Sequence, residues 1–276
     1  MYQQTIGSSF KLEGITIHSG IVTCMTLHPS RPNSGIVFRR TDVEPFEIIE
    51  VKVKNVSNTE RCTQLTNHNG YSVSMVEHVM SALRGMAVDN AIIDINGEEI
   101  PVLDGSSLDI ATKISEVGLS RQNVEKKYLR LKKNVRVEIG KSFLEAFPCS
   151  AMSYTIGFKN VHNLPFLSDQ IAYFDFELND YLSDIALART FGYEKDINYL
   201  RSKELIKGAS LGNAVLIGES GIMSNLRFQD EFARHKLLDV IGDLALIPPF
   251  LAKIKGERTS HHLNILLARK VLKHLY

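Results

Sequence analysis

The chain has 276 residues, of which 44% are hydrophobic and 23% charged, and its formal net charge is +1. These values are typical of a globular protein with one large or two ordinary domains, and they give no reason to expect nucleic-acid binding. Three widely spaced cysteines exclude a disulfide framework and a Cys-rich zinc site. Without a signal peptide or a long apolar run, we expect a cytoplasmic protein, with weak peripheral membrane contact left open.

The first half of the chain predicts many strands followed by a helix, a strand and a second helix. Alternating segments between residues 10 and 53 indicate strands, and Asn69-Gly70 indicates a hairpin. We expect a helix over residues 74–84, an apolar strand over 90–95 and a second helix over 104–117, with a glycine just beyond each helix.

The second half repeats this plan after a polar segment, residues 120–127, which we expect to be a linker. A stretch near residues 191–213 mixes apolar residues with charges and glycine, and it has the composition of an insertion. The expected elements are strands between 128 and 176, a helix at 179–188, a strand at 214–217, a helix containing His235, a strand at 251–255 and a helix at 260–275.

An internal repeat is hidden in this order of elements. A shift of 157 positions places His78 on His235, and each lies near the beginning of its helix. Strands followed by two helices, twice over, predict an α+β fold of two similar domains, residues 1–122 and 123–276. Pseudo-symmetry would bring the two His-bearing helices together at one interface, which is a favoured place for a site.

The helix around His235 carries three polar residues on one face. His235, Asp239 and Asp243 are each four residues apart, which stacks them along a helix. An imidazole and a carboxylate one turn apart can bind a divalent metal, and zinc suits such mixed ligands. A zinc with few protein ligands keeps a position open for water. A solvated helix face is the alternative, and the spacing alone does not decide between them.

Two interpretations also exist for Glu77-His78, at the start of the first helix. Ser74-x-x-Glu77 is a capping-box pattern, in which Glu77 would accept a hydrogen bond from the Ser74 backbone N–H. Alternatively, His78 is a metal ligand and Glu77 is a general base acting on water held by the metal. The dipeptide by itself favours the cap.

Further candidates lie at helix ends and in turns. His261 and His262 open the last helix, either as a polar helix start in solvent or as the source of a proton donor, and we expect only one of the two imidazoles to point into a site. Thr190 could end a helix or offer its hydroxyl to an oxyanion. His18 lies between two glycines that either permit turns or let a ligand approach the backbone.

Seven stretches between residues 14 and 264 follow the order of a known family. They are Gly14-Ile-Thr-Ile-His18-Ser-Gly20, Gly35-Ile-Val-Phe-Arg-Arg-Thr-Asp42, Ser74-Met-Val-Glu77-His78, Glu99-Ile-Pro-Val-Leu-Asp-Gly-Ser106, Ala188-Arg-Thr-Phe-Gly192, Phe232-Ala-Arg-His-Lys-Leu-Leu-Asp-Val-Ile-Gly-Asp243 and His261-His-Leu-Asn264. Together they resemble the zinc-dependent UDP-3-O-acyl-N-acetylglucosamine deacetylases of lipid A biosynthesis.

The resemblance implies a fold, a reaction and a set of site residues. The fold would be two α+β domains with the helices between two sheets, and we expect a monomer that acts on a nucleotide-sugar substrate. The zinc ligands would be His78, His235 and Asp239. The catalytic residues would be Glu77 as general base, His261 as general acid, Asp243 as its orienting partner and Thr190 at the oxyanion. The substrate contacts would be Lys236 and Phe191 at the nucleotide-sugar, His18, and Tyr193, Ile197 and Leu200 along an acyl-chain passage.

The sequence departs from the family pattern near the expected nucleotide and sugar contacts. Where the family usually has an Asp-Phe-x-His-Pro stretch, residues 157–165 are Gly-Phe-Lys-Asn-Val-His-Asn-Leu-Pro, and His262 stands where a small residue is usual. Two alternatives therefore stay open. One is a zinc amidase that acts on another N-acylated nucleotide-sugar, and the other is a non-catalytic paralogue that binds substrate or a partner.

Overall fold

Ten strands and two helices come from the first half of the computed structural model, which describes residues 1–276. Eight strands precede the first helix, as the sequence predicts. The elements are β1 (Tyr2–Ile6), β2 (Phe10–Ile15), β3 (Val22–Pro29), β4 (Ile36–Arg40), β5 (Glu47–Glu50), β6 (Val56–Asn58), β7 (Gln64–Thr66), β8 (Ser72–Val73), α1 (Val76–Gly85), β9 (Ala91–Ile95), α2 (Leu108–Val117) and β10 (Leu119–Glu125).

Eight strands and four helices come from the second half. Two of the helices, α5 and α6 below, correspond in order to α1 and α2. The elements are β11 (Leu129–Arg130), β12 (Val135–Ile139), β13 (Ser142–Pro148), β14 (Ser153–Phe158), β15 (Gln170–Asp175), α3 (Tyr181–Asp184), β16 (Phe191–Tyr193), α4 (Ile197–Ser202), β17 (Val215–Ile217), α5 (Glu231–Leu244), β18 (Phe250–Glu257) and α6 (His261–Leu272).

The two larger sheets share one strand plan. The order is β2-β3-β9-β4-β5 in the first sheet and β12-β13-β18-β14-β15 in the second, where β11 also pairs with β18. In each sheet, the strand that follows the long helix enters the middle. It runs antiparallel to one neighbour (β3 or β13) and parallel to the other (β4 or β14). The predicted α+β fold with two similar halves is therefore confirmed.

The helices pack between the two sheets. Helix α5 contacts α1, α6 and strands β14 and β15, while α6 lies on β12 and β13, and α2 contacts α1 and β2. The strand pattern explains this layer, because alternate residues of β18 from Phe250 to Gly256 are buried and the intervening ones are more exposed. A strand with one apolar face must cover that face, and here the helices do so.

Helix α5 is almost wholly buried. Every residue of it except Arg234 and Lys236 is buried. Gly242 permits its close approach to α1, because a Cβ at that position would lie 2.0 Å from the Glu77 carbonyl oxygen. The three polar residues predicted on one face of this helix therefore lie in the interior, and the interpretation as a solvated helix face is wrong.

Two expected elements differ in the structure. The polar segment 120–127 is not a free linker, because β10 occupies most of it and pairs antiparallel with β1. The helix expected at 179–188 shortens to α3, because the chain then turns so that the Ala186 carbonyl accepts a hydrogen bond from Ser107 N at 3.0 Å.

The domain boundary at 122/123 stays a prediction. No helix combines the length and the apolar character needed to cross a membrane.

Candidate active site

Two histidines and an aspartate meet where α1 contacts α5. His78 comes from α1, and His235 and Asp239 come from α5, one turn apart. Their ligand atoms all lie within 4.8 Å of one another, and all three residues are buried. Asp239 Oδ1 is 3.8 Å from His78 Nε2 and 3.5 Å from His235 Nε2. The structure thus brings together the three residues predicted as metal ligands.

The ring of His235 is held in the orientation that metal binding requires. Its Nδ1 is 3.0 Å from the Ala188 carbonyl oxygen. Because a carbonyl can only accept, Nδ1 carries the proton and Nε2 turns its lone pair toward Asp239. Burial, and then the neighbouring His235, lowers the pKa of His78 to about 3. Both imidazoles are therefore neutral near pH 7, which is the form that binds a metal.

Asp239 shows that a cation fits among these residues. Its Oδ2 accepts a hydrogen bond from Lys236 Nζ at 3.1 Å, but its Oδ1 is buried and has no partner. Burial alone would raise the pKa of this carboxyl, yet His235 and then Lys236 hold the pKa below its usual value. A buried carboxylate oxygen without a partner is costly. A divalent ion between the imidazole nitrogens would satisfy it.

The side chain of Glu77 faces His261 at the start of α6 and does not cap α1, the helix that contains it. Its Oε2 accepts from Thr63 N at 3.0 Å, and its Oε1 lies 3.9 Å from His261 Nε2. The Ser74 backbone N–H donates instead to the Glu98 carbonyl at 2.8 Å. The capping-box interpretation is therefore wrong, because the Ser74 N–H is hydrogen-bonded to the Glu98 carbonyl and not to the Glu77 side chain.

Asp243 holds the other side of the His261 ring. Its Oδ2 is 3.0 Å from His261 Nδ1 and also accepts from Asn264 Nδ2 at 2.8 Å. Its Oδ1 accepts from Thr63 Oγ1 at 2.6 Å. With both oxygens engaged, Asp243 is not available to a metal. It can orient the imidazole so that Nε2 points at Glu77.

A cavity of about 320 Å³ lies along the segment predicted as an insertion. None of the three candidate metal ligands lines it, but the ring of Phe191, which does, lies 6.0 Å from that of His235. Lys236 does not line the cavity, but its Nζ lies 5.3 Å from the centre of the Phe191 ring. The predicted residues that line the cavity are His18, Thr190, Phe191, Tyr193, Ile197 and Leu200.

Known proteins resemble the chain along almost its whole length. A family model described as LpxC, UDP-3-O-acyl N-acetylglycosamine deacetylase, matches residues 3–273. A Shewanella violacea protein named UDP-3-O-acyl-N-acetylglucosamine deacetylase is 39% identical over 99% of this chain and 90% of its own length. Proteins of the same name from Colwellia psychrerythraea and Vibrio parahaemolyticus are each 38% identical over 98% of this chain and 90% of their own. The chain belongs to the UDP-3-O-acyl N-acetylglycosamine deacetylase family. The family predicted from the sequence is therefore confirmed.

In this member of the deacetylase family, the facing carboxyl and imidazole have shifted pKa values. Burial raises the pKa of Glu77 to about 7. Burial would lower the pKa of His261, but Asp243 and then Glu77 raise it to about 9. Near neutral pH the imidazole is therefore protonated, while the carboxyl is close to the midpoint of its titration. A general acid must start protonated and a general base deprotonated, and near neutral pH a part of the molecules has His261 and Glu77 in these two forms.

Sequence reasoning missed two residues that form hydrogen bonds to Glu77 or Asp243. Thr63 bonds both Glu77 and Asp243, and it lies in a loop that no local pattern marks. Asn264 bonds Asp243, and its presence in the stretch His261-His-Leu-Asn264 was the available signal. His262, in contrast, is exposed, with its Nδ1 3.4 Å from Thr59 Oγ1. Of the paired histidines, only His261 faces the site, as expected.

Two further polar residues immediately precede α6. Arg258 has a φ of 55°, which is unfavourable for a side chain with a Cβ, and its Nε is buried without a partner. The buried Oγ1 of Thr259 also lacks a partner. The backbone N–H groups that begin α6 lie next to them, and a helix N-terminus favours anions. The sequence carried no signal for this feature, because it depends on one backbone angle.

Proposed function

We propose that the chain is a zinc-dependent enzyme that hydrolyses the 2-N-acetyl group of UDP-3-O-acyl-N-acetylglucosamine and releases acetate in lipid A biosynthesis. One observation carries this proposal. Glu77 Oε1 and His261 Nε2 face each other at 3.9 Å beside the group formed by His78, His235 and Asp239. Amide hydrolysis needs a base for the attacking water and an acid for the leaving amine, and these two side chains offer both.

The donor set supports zinc as the metal. Two imidazoles and one carboxylate suit zinc, whereas calcium and magnesium prefer oxygen ligands. His78, His235 and Asp239 would hold the ion and leave at least one position open. When bound, zinc would supply a Lewis acid that polarises the acetamide carbonyl and increases the acidity of water.

The proton transfers can be assigned to two side chains of the protein. Glu77 would take a proton from the attacking water as its oxygen bonds to the acetamide carbon. His261 would then give its Nε2 proton to the amide nitrogen as the carbon–nitrogen bond breaks, which yields acetate and a free amine. Asp243 would keep the imidazole oriented and charged until that step. Thr190 would donate its hydroxyl to the oxyanion formed in between.

The substrate named for the relatives has an acyl chain and a diphosphate, and the surroundings of the site suit both. The cavity lined by Tyr193, Ile197 and Leu200 would take the acyl chain. Lys236 would contact the nucleotide-sugar, with Phe191 beside it. Arg258 has a cationic head with no carboxylate partner near the N-terminus of α6, and it would bind the diphosphate.

The direct test is acetate release from UDP-3-O-acyl-N-acetylglucosamine by the zinc-loaded chain. We expect loss of activity in His261→Gln and full activity in His262→Gln, because His262 is an exposed neighbour. Unchanged activity in His261→Gln would contradict the assignment of the acid. Faster hydrolysis of another N-acylated nucleotide-sugar than of this substrate would favour the alternative amidase. Failure to hydrolyse any of these substrates would favour the non-catalytic paralogue.

The cellular setting is part of the same proposal. We expect the enzyme to work in the cytoplasm as a monomer, with at most weak contact with a membrane. All three cysteines are free, which suits a reducing compartment. A sedimentation measurement on the zinc-loaded chain would test the monomer, and a dimer at micromolar concentration would contradict it.

A further inference from the structure

Two cavities lie at the opposite end of α1 from the candidate active site. Glu77 and His78 occupy the first turn of this helix, and Arg84 lies in its last turn, roughly 10 Å further along the axis. The cavities measure about 220 Å³ and 350 Å³, and Arg84 and Lys126 line both of them. They are separate from the cavity beside Phe191, with which they share no residue.

The side chains around Arg84 leave one positive charge without a counterion. Lys126 Nζ is paired with Asp89 Oδ1 at 2.7 Å, and Asp89 Oδ2 also accepts from Gln4 N at 2.9 Å. Arg84 donates a single hydrogen bond, from Nη2 to the Ile247 carbonyl at 3.2 Å, and no carboxylate lies within 4.0 Å of its guanidinium. Burial lowers the pKa of Arg84. Arg84 is only half-buried, and within the protein its charge has no counterion.

The walls of the larger cavity are mainly apolar. Met152, Tyr154, Phe176 and Phe250 line it, and the exposed Glu177 lies at its rim. Only 2% of Tyr154 is exposed, and its hydroxyl makes no hydrogen bond within the protein. A ligand in this cavity would thus meet the Arg84 guanidinium and the Tyr154 hydroxyl among aromatic and aliphatic side chains, with Lys126, Tyr128 and Ser150 also on the wall. Apolar walls with a few polar groups are typical of small-molecule sites.

We propose that this pair of cavities binds a carboxylate carried on an apolar body, such as a medium-chain fatty acid. The planar guanidinium of Arg84 can donate two parallel hydrogen bonds to a carboxylate. The Tyr154 hydroxyl can donate a third, and the apolar walls would cover the chain.

A purely structural role would use only part of Arg84. The hydrogen bond from Arg84 satisfies the Ile247 carbonyl just after the end of α5, where carbonyl groups lack partners within the helix. That role occupies one of the five N–H donors of the guanidinium. It explains neither the cavities on both sides nor the free hydroxyl of Tyr154.

Equilibrium dialysis of radiolabelled decanoate against the full chain tests the proposal. The substrate cavity could also take decanoate, so the test uses a Leu200→Trp background in which that cavity is filled. We expect this protein to bind one decanoate, and at least about tenfold weaker binding after Arg84→Met. Arg269→Met is the matched control, because Arg269 also donates one bond to a backbone carbonyl, that of Val56 at 3.1 Å.

Two further measurements keep the test decisive if Arg84→Met folds poorly. Ala151→Phe should fill the larger cavity and abolish binding without touching Arg84. Decanol, which has the same chain but no charge, should bind at least about tenfold more weakly than decanoate. Loss of all decanoate binding in Leu200→Trp alone, equal binding of decanol, or unchanged binding in Ala151→Phe would each overturn the proposal.

Discussion

Helices α1 and α5 hold matching positions in the two halves of the chain, but they contribute different groups to the candidate site. Helix α1 offers Glu77 and His78, both in its first turn. Helix α5 offers His235, Asp239 and Asp243, spread over two turns along one face. Neither helix holds the whole candidate site, because the proposed metal ligands and the proposed base, Glu77, are divided between them. The repeat explains why α1 and α5 pack against each other. The different side chains on the two helices explain which chemical groups come together at their contact.

The difference extends to how each helix is supported. Glu77 is held by a backbone N–H from the loop that contains Thr63. Asp243 is held by the hydroxyl of the same Thr63 and by Asn264 from α6. A single loop residue, Thr63, therefore links Glu77 on α1 to Asp243 on α5.

Removal of the base on α1 should have the largest effect on the rate. In Glu77→Gln we expect kcat to fall by about 10²–10⁴-fold, the usual contribution of a general base, because the amide cannot take the proton. Zinc content should stay at the wild-type level, since Glu77 is outside the proposed ligand set. Acetate release and metal analysis on one preparation measure both. Wild-type kcat in this variant would remove Glu77 from the mechanism.

Removal of the orienting carboxylate on α5 should have a smaller effect with a distinct pH signature. Asp243→Asn should lower kcat by about 10²-fold, at the low end for acid catalysis, because His261 loses its anionic partner. Activity needs His261 protonated, so wild-type kcat/KM should decline as pH rises through about 9. Without Asp243 the pKa of His261 falls, and this decline should begin at lower pH.

A pH series of kcat/KM on both proteins measures the shift. His262→Gln serves as the control, because it changes an imidazole next to His261 that faces solvent. An alkaline limb at the same pH in Asp243→Asn and wild type would show that Asp243 does not set the charge of the acid.

A change at the contact between the helices should affect stability first. Gly→Ala within a helix normally stabilises it by about 1 kcal/mol. At Gly242 the added Cβ would lie 2.0 Å from the backbone oxygen of Glu77, which cannot rotate away. We expect Gly242→Ala to lower the free energy of unfolding by about 3 kcal/mol, as overpacking does. Urea unfolding measures it, with Gly221→Ala, where a Cβ meets nothing within 4 Å, as the control.

Much of this comparison could be predicted from the sequence. Hydrophobic periodicity placed α5, and Gly85 marked the end of the helix predicted at α1. The four-residue spacing on α5 allowed a metal-binding face but did not exclude a solvated one. The seven stretches indicated the family. Local patterns could not predict the hydrogen bonds of Glu77. The partner that the capping box assigns to it, the Ser74 N–H, is hydrogen-bonded to the Glu98 carbonyl in the folded chain. They also could not reveal Thr63, whose hydroxyl bonds a carboxylate 180 residues away.

The central claim is that one metal site is shared between the two halves of the chain. Zinc content per chain, measured by mass spectrometry on the folded protein, tests it most directly in wild type, His78→Gln and His235→Gln, with His262→Gln as the control. We expect one tightly held zinc in the wild type and the control, and loss of it in each of the other two variants. Retention of zinc in His78→Gln would place the metal on α5 alone and contradict the shared site.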